Sequence, residues 1–190
     1  MIFQEPMTAL NPLRTIGDQI GEMFAIHTGL SKAEINARVL ALLEDVRISD
    51  PKAAAKAYPH ELSGGQRQRA MIAMALALDP KLLIADEPTS ALDVTVQQVI
   101  LDQIDEMTRE LGSSVLLITH DLGLAAERAQ QLVVMHRGRV VESGDARAIL
   151  EDPQHAYTRS LVAAAPSVAE PITPPSSATV KRASSPSSPG

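Results

Sequence analysis

Four short groupings in this chain put chemistry-bearing side chains beside glycines or at the ends of apolar runs. Asp86 and Glu87 close the run Leu82-Leu83-Ile84-Ala85. In such a pair one carboxylate can hold Mg2+, directly or through a water, while its neighbour accepts a proton or orients a nucleophilic water. An isolated Asp-Glu dipeptide serves equally well as a turn cap with a solvated glutamate. Gln4 follows Met1-Ile2-Phe3, and His120 follows the stretch Val115–Thr119. In open parallel sheets ligands bind beyond the carboxyl ends of the strands. If the three apolar stretches are parallel neighbours, Gln4, Glu87 and His120 gather along one edge, an arrangement suited to polarising a water near a metal-bound anion. Leu62-Ser63-Gly64-Gly65-Gln66 precedes a helix. Its glycines allow close backbone approach, and the N–H groups of the helix start favour an anion. The same residues also fit a glycine turn with a serine cap.

Composition removes several other chemistries. The 190 residues contain no cysteine, which excludes disulfides, zinc-cysteine sites and iron–sulfur clusters within them. The five histidines show no His-Glu-x-x-His pair, and Gly-x-Ser-x-Gly is absent. A net charge of −6 and only 2% aromatic residues disfavour a nucleic-acid partner, which needs a basic face or stacking rings. The longest apolar run, Ala70 to Leu78, is far short of the roughly 20 residues of a membrane span. The N-terminus lacks the charged and apolar regions of a secretory signal.

The elements that must position these residues can be read from periodicity. Ser31 opens a helix with Glu34 three residues on, a capping-box pattern, and Ile35, Val39, Leu42, Leu43 and Val46 share one face. Asp50-Pro51 marks its end. A second, largely buried helix is expected from about Gly65 to Leu78. Leu82–Ala85 and Val115–Ile118 read as buried strands. Between them lies a helix from about Val94 to Leu111, with Val96, Ile100, Ile104, Met107 and Leu111 inward and Gly112 closing it. Asp121 caps a helix to about Gln130, Arg137-Gly138 turns a hairpin, and helices precede Pro153 and run from about Tyr157 to Ala165. This alternation predicts an α/β fold, a parallel sheet covered on both faces. Residues 166–190 hold six prolines and seven serines, the composition of a disordered tail or linker.

In this order and spacing the groupings resemble the ATP-binding subunit of an ABC transporter. Leu62-Ser63-Gly64-Gly65-Gln66 is similar to the family's signature motif letter for letter. Leu82–Glu87 resembles the Walker B strand with the catalytic glutamate, Ser90-Ala91-Leu92-Asp93 the D-loop, His120 the switch histidine and Gln4 the Q-loop glutamine. Phe3–Pro12 and His155-Ala156-Tyr157-Thr158-Arg159-Ser160-Leu161 resemble the dipeptide, oligopeptide and nickel importers, with Ala156 where that subfamily normally has proline. Some of those members carry a cysteine cluster near the second stretch; this chain has none.

The resemblance implies a P-loop NTPase fold over residues 1–165, with an α-helical signature subdomain at about 12–80 and an importer-type segment at about 145–165. It implies ATP and Mg2+ as ligands. Asp86 and Gln4 would touch the metal, Glu87 would activate water, and His120 would steady the γ-phosphate. Ser63, Gly64, Gly65 and Gln66 would clamp ATP held by a second ATPase subunit, and Asp93 would cross that interface. Permease subunits, and through them a solute-binding protein, would be the further partners, at the cytoplasmic face of the membrane. The family's Gly-x-x-Gly-x-Gly-Lys-Ser/Thr is not among these residues, and no Gly-Lys dipeptide occurs. The expectation is therefore a cassette joined from the Q-loop onward, without its P-loop and N-terminal β subdomain, and inactive alone. A non-catalytic module supplying only the signature motif and a soluble cassette ATPase unconnected with transport are the alternative readings.

Overall fold

The computed structural model describes residues 1–89 and 94–165. The D-loop stretch Ser90–Asp93 and the Pro/Ser-rich tail lie outside the described residues. The chain divides into two compact units, Met1–His120 and an assembly of elements from Asp121 onward.

In the first unit the helices come early. A short α1 (Pro6–Ala9) leads to α2 (Ile16–His27), which the Thr15 side chain caps by accepting from the Asp18 N–H. Ile16, Ile20 and Phe24 fall at helical spacing on the buried side of α2. The α3 helix (Lys32–Asp45) has the expected reciprocal box, with Ser31 and Glu34 each satisfying the other's backbone N–H. Asp50-Pro51 does not end the helical region. Asp50 accepts from the Ala53 N–H at 2.9 Å and Pro51 is the first residue of α4 (Pro51–Lys56). Proline lacks only an N–H that a helix's first turn leaves unpaired anyway, so it starts helices as readily as it stops them. A 3-10 turn (Pro59–Glu61) then leads into α5 (Gly64–Leu76), which buries Ala70, Met71, Ile72, Ala73 and Leu76.

β1 (Leu82–Asp86) pairs in parallel with β2 (Ser114–Ile118), in register Leu83↔Val115 and Ala85↔Leu117. Ile2 bridges Ala85 in parallel on the other edge of β1, through Ile2 N–H to Ile84 O at 2.8 Å and Asp86 N–H to Ile2 O at 3.0 Å. The crossover from β1 to β2 contains α6 (Val94–Glu110), whose Ile100 and Ile104 are buried. Leu111, expected on the inward stripe, is instead exposed beyond the helix end. There Gly112 takes φ 64° and closes the last turn, a conformation glycine adopts without a Cβ penalty.

Leu83 and Ala85 join Ile2, Ile72, Ile100 and Ile104 in one apolar core, so helices flank that face of the sheet. The expected cover on both faces is not found among the described residues: Leu82, Leu116 and Ile118 are exposed. Alternation in a parallel strand puts every second side chain on the opposite face, and the described helices of this unit supply a layer for only one of them.

The second unit holds α7 (Leu122–Arg128), the antiparallel pair β3 (Gln131–His136) and β4 (Arg139–Asp145), α8 (Ala146–Glu151) and α9 (Ala156–Ala164). Arg137 and Gly138 make the hairpin turn with φ 50° and 75°, the geometry that matches the twist of the flanking strands. Glu142 on β4 accepts the N–H groups of Gln154 at 2.8 Å and His155 at 3.1 Å, while the His155 ring accepts from the Tyr157 N–H at 3.1 Å. Tyr157 stacks on His136 with ring centroids 4.0 Å apart.

Candidate functional site

The parallel sense of the three segments in the first unit carries Gln4, Glu87 and His120 to one edge. Gln4 Nε2 donates to one Glu87 carboxylate oxygen at 2.8 Å. His120 Nδ1 lies 3.0 Å from the other. Both oxygens are thereby engaged, by side chains on different segments. With the carboxylate ionised, Nδ1 carries the proton facing it, which leaves Nε2 as the atom free to meet a ligand. His120 is largely exposed while Glu87 is mostly covered, so the imidazole forms the outer lip and the carboxylate the floor.

The Glu87 backbone adds a second feature. Its φ is 43°, in the left-handed region that costs a residue with a Cβ about 1–2 kcal/mol. Its N–H donates to Ile118 O at 2.9 Å, tying the turn after β1 to the end of β2. Pro88 and Thr89, which follow, are buried. Strain held in place by its surroundings at a strand end marks a site where direction matters more than local comfort.

Asp86 is the last residue of β1 and half-buried, beside Glu87 in sequence. A carboxylate and a glutamine carbonyl are hard oxygen donors that suit Mg2+, which keeps several waters and takes only one or two protein ligands when phosphates supply the rest. Among the described residues no group of three or more His, Cys, Asp or Glu converges into a protein-only metal cage.

Ser63 caps α5. Its hydroxyl accepts from the Gln66 N–H at 3.3 Å, and the Gln66 side-chain oxygen accepts from the Ser63 N–H at 3.0 Å. A Cβ on Gly64 would meet nothing within 4 Å, and one on Gly65 would reach Val96 at 3.8 Å. The cap and the anion readings are thus compatible: the box sets the turn, and the serine proton and glutamine amide remain as donors. The structure brings Gln4 and His120 each onto Glu87, while Ser63, Gly64, Gly65 and Gln66 form the start of α5. Asp93 lies outside the described residues.

The sequence reading passed over Gln68, a buried glutamine whose amide donates to Pro88 O directly after Glu87. It also passed over the pair Arg69 and Gln103. Arg69 donates to Val46 O at 2.8 Å and to Gln103 Oε1 at 2.7 Å, and Gln103 donates to Asp45 O at 2.8 Å. The available signal was a glutamine at core spacing with Met71 and Ile72 inside an otherwise apolar helix face.

Comparison with known proteins gives the chain's relatives. Residues 1–90 match the model of a family described as ABC transporter. The chain is 58% identical over 166 residues to the peptidoglycan transport ATP-binding protein YejF of Agrobacterium fabrum, covering 87% of this chain and 30% of that protein. It is 51% identical over 170 residues to the dipeptide transport ATP-binding protein DppD of Escherichia coli, covering 90% of this chain and 52% of that protein. The chain thus spans from under a third to about half the length of these relatives. Among solved structures it resembles cbiO1 of Clostridium perfringens, part of the transporter complex cbiONQ, with a TM-score of 0.67 and 30% identity over 80% of this chain and 58% of that one. It also resembles the ATP-binding cassette MJ0796, solved as a dimer bound to ADP and Pi in a post-hydrolysis state, with a TM-score of 0.65 and 30% identity over 77% of this chain and 62% of that one. These likenesses connect residues 1–90 with the ABC transporter family and give the chain a partial P-loop NTPase fold.

Proposed function

We propose that this chain contributes the water-orienting edge and the signature turn of an ATPase that powers import of peptides. The observation that carries the reading is the double engagement of Glu87 by Gln4 and His120 at the end of three parallel segments. The names of the relatives favour peptides over nickel as the solute.

Glu87 would hold the attacking water and accept its proton. Gln4 and His120 fix the two carboxylate oxygens, so the carboxylate meets water in one orientation without reorganising. His120 would present Nε2 towards the γ-phosphate while Nδ1 stays on Glu87. Asp86, with the oxygen of Gln4, would hold Mg2+, which supplies charge neutralisation on the phosphates. Ser63, Gly64, Gly65 and Gln66 would offer hydroxyl, amide and backbone donors to nucleotide held by a second ATPase subunit, with Asp93 at that interface. Permease subunits at the cytoplasmic face of the membrane would receive the resulting movement. On this reading the residues present act on a phosphate chain but do not themselves cradle it, and the chain alone is expected to show no ATP turnover.

The test places a segment carrying the Gly-x-x-Gly-x-Gly-Lys-Ser/Thr motif in front of Met1 and follows phosphate release. The fusion should hydrolyse ATP, and Glu87→Gln should lower turnover at least about a hundredfold, the scale of a positioned general base. Hydrolysis by the Glu87→Gln fusion within about twofold of the parent would overturn the assignment.

A further inference from the structure

Gln68 sits on the apolar face of α5, two residues beyond the Ser63–Gln66 turn, and is 2% exposed. A primary amide in that position must find a partner, because an unpaired buried polar group is expensive. Its Nε2 finds the carbonyl of Pro88. Pro88 follows Glu87, whose left-handed φ persists only where its surroundings over-determine it. Upstream the Glu87 N–H is held by Ile118 O at 2.9 Å, and the side chain is held by Gln4 and His120. Downstream Pro88 has no N–H of its own, and its carbonyl is the group that Gln68 holds.

We propose that Gln68 is a positioning residue for Glu87: its amide clamps the Pro88 carbonyl and fixes the left-handed turn that aims the Glu87 carboxylate between Gln4 and His120. The functional meaning rests on Glu87 being the water-orienting carboxylate, but the clamp is a geometric claim that stands without it. One consequence is mechanical. The helix that presents Ser63–Gln66 at its first turn grips the Glu87 turn one helical turn later, so a shift of α5 is passed to Glu87 through the Gln68 side chain.

Gln68→Met keeps length and apolar fit and removes the donor. In nitrogen-15 NMR of the full chain, this change should move the Glu87 amide and the His120 imidazole resonances. The amides of α2 and of the hairpin β3–β4 should stay in place. Gln68→Glu supplies the complementary arm. A buried carboxyl is driven towards its neutral form, and only that form can donate to Pro88 O. Compared with wild type at the same pH, the Glu87 and His120 resonances of this variant should return to their native positions as pH falls. A purely structural contribution to the core would give no such return. The clamp is overturned if the Met variant leaves both resonances in place, or if the Glu variant shows no pH-dependent recovery. Should the Met variant fail to fold, the Glu series decides alone. Neither arm needs ATP turnover, so an inactive fusion in the phosphate-release assay would remove the hydrolytic reading and leave this one standing.

Discussion

Replacing Gln103 by methionine tests whether the helices around the core are joined by polar contacts as well as by apolar packing. Gln103 is 1% exposed on α6, and its amide bridges two other elements. It accepts from Arg69 of α5 at 2.7 Å and donates to Asp45 O at the end of α3 at 2.8 Å. Arg69 also donates to Val46 O at 2.8 Å. Burial first, and Arg47 second, hold the Arg69 guanidinium below its ordinary value, so the group already bears a desolvation cost that its acceptors offset. Methionine fills nearly the same volume and offers neither donor nor acceptor. A hydrogen bond to a charged group is worth about 1.5–3 kcal/mol and a neutral one about 1 kcal/mol. Allowing for water reaching the Asp45 carbonyl, the loss should be about 2–3 kcal/mol. That corresponds to a fall in melting temperature of about 5–10 °C. The control is Arg47→Ala, which removes a 2.6 Å ion pair with Glu106 whose partners are both at least half exposed. Such pairs contribute about 0–1 kcal/mol. Urea unfolding followed by helical circular dichroism reads both variants. A loss below about 1 kcal/mol for Gln103→Met, or a larger loss for Arg47→Ala, would refute the reasoning.

Two further outcomes are expected. A Cβ on Gly17 would lie 2.7 Å from the backbone oxygen of Ala55, whereas one on Gly29 would meet nothing within 4 Å. Gly17→Ala should therefore destabilise by about 1–3 kcal/mol as α2 and α4 are forced apart, and Gly29→Ala should leave the urea midpoint nearly unchanged; equal midpoints for the two would contradict the packing. Hydrogen bonding holds the Glu142 carboxyl below its ordinary value: it accepts the Gln154 N–H at 2.8 Å and the His155 N–H at 3.1 Å. A depressed folded-state value stabilises above the ordinary carboxylate range and is lost as pH falls through the folded one. Protection of the α9 amides, taken relative to their intrinsic exchange rates, should accordingly fall on acidification below that range, and Glu142→Gln should flatten the dependence; an unchanged profile in the variant would assign it to another group.

What was legible in the sequence was legible because its cause is local. Ser31 and Glu34 are three residues apart, so their box needs no tertiary information. Gly112 and Arg137-Gly138 are required by backbone angles that few residues adopt. Gln4, Glu87 and His120 could be grouped beforehand because each directly follows an apolar stretch and a parallel sheet aligns such ends. What escaped depends on partners far along the chain. Asp50-Pro51 reads the same whether it stops one helix or starts another, and the choice is made by the chain packing α4 against α2 and α3. Gln68 reads as a polar interruption of an apolar helix until Pro88, twenty residues on, is placed beside it. Nothing around Glu87 announces a left-handed φ, since glutamate has no preference for it. The expected cover over both sheet faces is not found among the described residues for a related reason: strand composition reports that a layer is needed, not which residues supply it.

Register is what turns three apolar stretches into one site. Ile2 is fully buried, and its N–H and C=O both bond to β1. Because side chains alternate, a slip of one residue would turn Ile2 outward and carry Gln4 to the other face of the sheet, away from Glu87. Burying an isoleucine stabilises by about 1.5–3 kcal/mol, whereas the Gln4–Glu87 hydrogen bond is exposed and water competes for both of its partners. The apolar residue therefore sets the register, and the polar contact follows from it. The same logic holds at β2, where Ala85↔Leu117 aligns the strands and His120 arrives at Glu87 three residues later. Only the turn after β1 cannot be set this way, because Glu87 lies beyond the paired residues in a conformation its own backbone disfavours. That is where side-chain hydrogen bonds converge.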